Sequence, residues 1–225
     1  MRDVAQVLPA DGGARRVLPG RLDHGDALLT AVQALFGGSF DPVHVGHLVA
    51  AETVGEALDA TIRFLPVREQ PLKPAGHAPH GASPEQRAEM LELAVAGNPR
   101  FTVERIELTL PTPSYTVRTL RALAQREPGN RFTLLLGADA AAELGAWFEI
   151  DALPQLADVV VFARPGAPAP RHPAISRTVD VPALDVSATM IRERVRQARS
   201  IRYLVPDAVR DYIAARGLYR KQRPT

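Results

Sequence analysis

The sequence contains no cysteine. A disulfide framework, a thiolate metal centre and a cysteine nucleophile are therefore excluded, and the chain suits a reducing compartment. Lysine is almost missing too: of 27 basic side chains only Lys73 and Lys221 are lysines, and the rest are arginines. No apolar run approaches the roughly 18 residues of a membrane span, and the N-terminus lacks the charged-then-apolar pattern of a secretory signal. A cytoplasmic protein with no membrane contact is expected. There is no large excess of one charge either, with 27 basic against 25 acidic side chains and a net charge of +2. So weak an overall field argues against a nucleic-acid partner. The positive charge is local: residues 192–223 hold ten basic and three acidic side chains, which favours an anionic ligand there. Neither GxGxxG nor GxxxxGK[ST] occurs, so the common dinucleotide and P-loop fingerprints are absent.

What is present is a series of short apolar runs separated by helical patterns. At roughly 150 residues per domain, 225 residues make one large domain or two small ones, and no repeat divides them. Residues 1–31 carry scattered Gly, Pro, Asp and Arg with no sustained period, and read as a disordered extension. One domain is expected over 32–220, with a tail at 221–225. Strands are predicted at 32–36, 61–66, 101–103, 131–137 and 158–163, and helices at 46–58, from Ser83 onward, 115–126, 187–199 and 206–216. Ser83-Pro84-Glu85-Gln86 is a helix start with a capping box and proline in the first turn. Continuous apolar strands are buried on both faces, the mark of a parallel sheet covered by helices. The predicted fold is α/β: an open parallel sheet of the Rossmann-like kind, helices on both faces and a helical C-terminal cap. The Pro- and Gly-rich stretch 67–84 is a long, functional loop.

Ligands of open α/β sheets bind beyond the carboxyl ends of strands. After the first strand the chain reads Gly37-Gly38-Ser39-Phe40-Asp41-Pro42-Val43-His44-Val45-Gly46-His47. The glycines permit close backbone approach to a ligand, and Gly46 leaves a gap above the helix start where a flat ring or ribose could lie. His44 and His47 share one helical face at the end where the macrodipole favours anions. Helix capping, metal ligation by Asp41, His44 and His47, and phosphate binding all remain open for this run. Near the other end, Ser187 and Thr189 offer hydroxyls at a helix start, with the guanidinium of Arg192 one turn on, a set suited to phosphate. Arg87 reads as a solvated helix-face residue.

The first run resembles the HxGH-containing nucleotidyltransferase superfamily, and residues 187–192 stand where that superfamily carries its Ser/Thr-x-x-x-x-Arg phosphate motif. Pro113-Ser114-Tyr115-Thr116, Gly137-Ala138-Asp139 with Trp147-Phe148, and Gly217-Leu218-Tyr219-Arg220 look like the corresponding segments of nicotinate-nucleotide adenylyltransferases. The resemblance spans residues 32–220. It implies transfer of the adenylyl group of ATP to nicotinate mononucleotide, giving nicotinate adenine dinucleotide and pyrophosphate in NAD biosynthesis. Magnesium would be held mainly by the ATP phosphates, with no protein metal centre. Catalysis would fall to His44, His47, Lys73 and Arg192. Gly37, Gly38, Ser39, Phe40, Gly46, Asp139, Ser187 and Thr189 would bind ATP.

The nicotinate nucleotide would meet Thr116, Trp147 and the main-chain N–H of Phe148, with indole stacked on the pyridinium cation. A lid packed on the sheet is the plainer reading of Trp147. Two departures stand out: Leu72 takes the place of a usual histidine beside Lys73, and Phe148 stands where relatives often carry tyrosine. The shared ATP motifs leave open a related enzyme acting on nicotinamide mononucleotide or phosphopantetheine, or a nucleotide sensor without turnover. The sequence does not fix the oligomeric state.

Overall fold

A computed structural model describes residues 32–71, 81–166 and 170–221. Six strands, β1 (Val32–Gly38), β2 (Ala60–Pro66), β3 (Phe101–Val103), β4 (Phe132–Gly137), β5 (Ala157–Ala163) and β6 (Ile175–Asp180), lie in the order β3-β2-β1-β4-β5-β6. Every pairing is parallel. The expected Rossmann-like sheet is therefore what forms.

Successive strand residues feed opposite cores, which is why the strand sequences are apolar throughout rather than alternating. Ala34, Phe36, Ile62, Phe64 and Leu135 face one layer, made by α1 (Val45–Leu58), α2 (Pro84–Val95), α7 (Ala188–Arg196) and α8 (Asp207–Ala215). Leu35, Leu65, Leu134, Leu136, Val159 and Val161 face the other. That side is covered by α4 (Thr116–Arg126), with the short helices α5 (Ala138–Ala142) and α6 (Leu153–Leu156). The remaining short helix, α3 (Ile106–Thr109), follows β3.

Ser83 caps α2 as its sequence predicts: its hydroxyl accepts from the Gln86 N–H (3.2 Å), and the Gln86 side chain accepts in return from the Ser83 N–H (2.9 Å). The unexpected element is β6. Of its six residues only Val179 is buried, because an edge strand has one partner and one covered face, so its polar run reads as loop. Among the described residues, no helix is long and apolar enough to cross a membrane.

The topology fixes where a ligand can enter. From β1 the chain moves outward to β2 and β3; from the adjacent β4 it moves the opposite way to β5 and β6. The connections leaving β1 and β4 therefore diverge, opening a crevice at their carboxyl ends. The segments beginning at Gly37 and Gly137 flank it.

Candidate active site

The turn after β1 is built from behind. The Gly38 carbonyl accepts from the Val67 N–H (3.0 Å) and the Ser39 carbonyl from the Arg87 guanidinium (2.6 Å). In planar trans peptides this leaves the N–H groups of Ser39 and Phe40 on the opposite side. Phe40 adopts a left-handed φ of 48°, and its ring is buried against Phe36, Phe64 and His47. Its side chain belongs to the core, so only its backbone can face a nucleotide. Gly38 is required by this ring, because a Cβ there would lie 2.9 Å from the Phe40 ring.

His44 is the N-cap residue of α1, and its ring stacks on that of His47 with centroids 3.7 Å apart. The gap above Gly46 is filled by this imidazole rather than left for a ligand: a Cβ on Gly46 would sit 3.1 Å from the His44 Nδ1. The backbone N–H of His44 donates to the Nδ1 of His47 (3.3 Å). That bond puts the His47 proton on Nε2 and makes Nε2–H a donor. Burial holds His44 neutral, with its pKa lowered to about 4. Burial and the adjacent His44 ring also push His47 well below its usual range. Both rings are therefore neutral, and His47 presents Nε2–H as its donor.

The same burial has a stability consequence. The unfolded chain binds a proton on each histidine near pH 6.5, while His44 in the folded protein takes one up only near pH 4. Between those values the unfolded state holds more protons, so stability rises with pH across the window and falls as pH drops through it. Acidification from pH 7 to pH 4 is expected to cost about 3 kcal/mol through His44 alone. Denaturant titrations at several pH values check this; the slope should flatten in His44→Asn, and an unchanged slope would disprove it.

Asp41 ties distant segments to this turn. Its carboxylate accepts from the N–H groups of Gly81 (2.9 Å) and Ala82 (3.1 Å) and from the Tyr219 hydroxyl (2.8 Å). Burial and the Asp41 carboxylate push the Tyr219 phenol far above its usual range, which keeps it a donor. The carboxylate is thus engaged inward, against the reading of Asp41 as a metal ligand with His44 and His47.

The Asp41 carbonyl accepts from Arg192 (2.7 Å), whose other terminal nitrogen donates to the Thr189 hydroxyl (3.1 Å). Ser187 caps α7, accepting from the Met190 N–H (3.2 Å). Arg192 keeps about a quarter of its side chain exposed. The histidines and the arginine, nearly 150 residues apart in sequence, are thus brought to the same turn, through the bond of Arg192 to the Asp41 carbonyl.

On the β4 side, Asp139 is exposed in the first turn of α5. Thr116 is the first residue of α4, and the preceding Tyr115 ring stacks on Phe148 with centroids 4.5 Å apart. Arg121 pairs with Glu149 (2.6 Å), pinning the Trp147-Phe148 turn to α4. Trp147 itself is partly buried against the core, as a lid residue would be. Ser114 accepts from the N–H groups of Arg68 (3.2 Å) and Glu69 (3.3 Å), joining this side to the loop after β2. Lys73 lies outside the described residues, as do Leu72, residues 1–31 and residues 222–225.

The residue whose role the sequence misrepresents is Arg87. It is fully buried, donating to the carbonyls of Ser39 (2.6 Å) and Arg68 (3.3 Å). The signal was its register: Arg87 falls on the same stripe as Met90, Leu91 and Val95, all of them buried. An arginine carried into the core by its register needs acceptors for its guanidinium there, because a charge is buried only when partnered.

A family model described as cytidylyltransferase-like matches residues 35–194. A Roseiflexus castenholzii protein named "Probable nicotinate-nucleotide adenylyltransferase" is 47% identical over 197 residues, covering 83% of this chain and 96% of its own. A Thermus thermophilus protein of the same name is 45% identical over 186 residues, covering 83% and 98%. Among solved structures, a Plasmodium falciparum nicotinic acid mononucleotide adenylyltransferase complexed with NaAD aligns with a TM-score of 0.65 at 16% identity, covering 84% of this chain and 97% of that one; this likeness speaks for the fold. With both the family model and these relatives running through the turn after β1 and on into α7, the chain belongs to the cytidylyltransferase-like family and, within it, to the nicotinate-nucleotide adenylyltransferases.

Proposed function

We propose that the crevice between β1 and β4 aligns ATP with nicotinate mononucleotide for adenylyl transfer. The observation that carries this reading is the meeting of His47, Arg192 and the capped start of α7 around the turn after β1. Neutral imidazole N–H groups, hydroxyls and one guanidinium form a donor-rich cradle suited to phosphate oxygens. The N-termini of α1 and α7 add positive potential.

A phosphate oxygen of the mononucleotide attacks the α-phosphorus of ATP in line. The bond to the β-phosphate breaks, and its electron pair leaves with pyrophosphate. The nucleophile is already an anion, so no general base is needed, and catalysis is alignment plus charge stabilisation. His44 and His47 donate to α- and β-phosphate oxygens, Arg192 carries fixed charge, and Lys73 is assigned the same task from its loop. Gly37, Gly38, Ser39, Phe40 and Gly46 give backbone contacts, Asp139 the ribose contact, and Ser187 and Thr189 hydroxyl donors. Thr116 and the Phe148 N–H hold the ring carboxylate, with Trp147 against the pyridinium.

Among the described residues, no three His, Asp or Glu side chains cluster as a metal site. The donors of the cleft fit phosphate rather than a bare cation, so magnesium would be held on the ATP phosphates, where it neutralises the departing pyrophosphate. The test is pyrophosphate release with ATP, magnesium and each candidate acceptor. Nicotinate mononucleotide should give pyrophosphate and dinucleotide in equal amounts. Faster turnover with nicotinamide mononucleotide or phosphopantetheine would overturn the assignment of acceptor.

A further inference from the structure

The guanidinium assigned above to phosphate sits beside a buried carboxylate, and a direct ion pair between the two would cancel the charge that a phosphate needs. Asp41 is 3% exposed, and its Oδ2 lies 3.9 Å from the Nη1 of Arg192. That is beyond hydrogen-bond distance; Nη1 donates instead to the Asp41 carbonyl, at 2.7 Å. The carboxylate oxygens are engaged elsewhere, Oδ2 by the Gly81 N–H and Oδ1 by the Ala82 N–H and the Tyr219 hydroxyl. Two of these donors belong to the backbone. The third is a side chain from the segment after α8.

Tyr219 reaches this contact through an uncommon backbone. After α8 the chain turns at Gly217, with φ 63°, and again at Tyr219 itself, with φ 61°, a left-handed conformation rare for a bulky residue. Such a conformation persists where the surroundings fix it. The ring is buried and runs so close to the main chain at Gly81 that a Cβ there would lie 2.6 Å from it and 3.5 Å from the Arg192 Cδ. Phenol ring, glycine and arginine stem therefore pack together, with the hydroxyl on Asp41. Burial of Leu218 and of the ring anchors the segment without help from that hydroxyl.

We propose that Tyr219 is a positioning residue for Arg192: its hydroxyl holds the Asp41 carboxylate out of a direct ion pair with the guanidinium, leaving that charge for substrate phosphate. The inference rests on the phosphate role of Arg192 proposed above. Without the hydroxyl the carboxylate is one donor short, and a buried carboxylate short of a donor closes on the adjacent cation. At an effective dielectric of about 20 to 40, closing that gap to about 2.8 Å costs an incoming anion roughly 4- to 20-fold in affinity.

The experiment measures the dissociation constant of ATP by calorimetry, and KM for each substrate, in the parent, Tyr219→Phe, Arg192→Gln and the double variant, with thermal melting to show that each is folded. Y219F should weaken ATP binding about tenfold and raise the KM for ATP in step, leaving the KM for nicotinate mononucleotide within about twofold of the parent. In the R192Q background the same change should cost less than about twofold, because the charge to be captured is gone. A loss below twofold in Y219F, while R192Q binds ATP poorly, overturns the inference alone. So does an equal loss in both backgrounds, which marks a packing role for the tyrosine. Parent-like ATP affinity in R192Q overturns the phosphate role of Arg192 and the inference with it.

Discussion

Replacing His47 by alanine is expected to lower kcat/KM by about 10²- to 10³-fold, the usual cost of deleting one preorganised donor to a transferring group. The expectation rests on the tautomer. With Nδ1 accepting from the His44 N–H, Nε2–H is committed as a donor, and it needs no reorganisation when charge moves onto the phosphates. Burial keeps the ring neutral, so its contribution is directional rather than a full charge. The substitution series is diagnostic. Glutamine places its amide nitrogen near the Nε2 position and should recover roughly tenfold over alanine, whereas asparagine, whose amide falls near Nδ1, should not. Steady-state pyrophosphate release measures all three. Turnover of His47→Ala within a few-fold of the parent, with melting preserved, would remove His47 from the reaction.

The second large effect belongs to stability. Arg87→Ala should destabilise the fold by about 3–5 kcal/mol, the sum expected for a core cavity and two acceptors left without a donor, and lower the melting temperature by about 10 °C. The side chain is fully enclosed. Its removal leaves a cavity and strips the Ser39 and Arg68 carbonyls of their donor, and an acceptor left buried and unpaired costs its full desolvation penalty.

The damage is not confined to stability. Ser39 belongs to the turn after β1, and Arg68 is tied through Ser114 to the start of α4, so this one cation braces the strand ends on which both substrates are proposed to sit. Chemical denaturation of the parent, Arg87→Ala and Arg87→Met, the last keeping much of the volume, separates the cavity from the lost hydrogen bonds. A melting shift below about 3 °C for the alanine variant would contradict the buried-brace account.

Much of this molecule could be read directly from its residues, because the relevant physics is local. Doubly buried strands have no polar alternate positions, so 132–137 and 157–163 declare a covered parallel sheet. Ser83, Pro84 and Gln86 announce a helix start through contacts within one turn. The spacing of His44, Gly46 and His47 is equally local: the rings stack because three residues of helix bring them to one face, and Gly46 leaves the room that the His44 imidazole occupies, where a Cβ would come to 3.1 Å from Nδ1.

Three things were decided only by tertiary contact. β6 is a strand because β5 offers it an edge; its own composition does not ask for one. Asp41 is a junction rather than a ligand because Tyr219, 178 residues away, folds its hydroxyl onto it. Arg87 is a buried brace because two carbonyls from separate loops converge on its guanidinium, and no property of α2 alone supplies those acceptors. Local pattern sets which groups a segment carries and which way they face. Whether a polar group ends in water or in a buried hydrogen bond depends on partners that only the closed chain brings within reach.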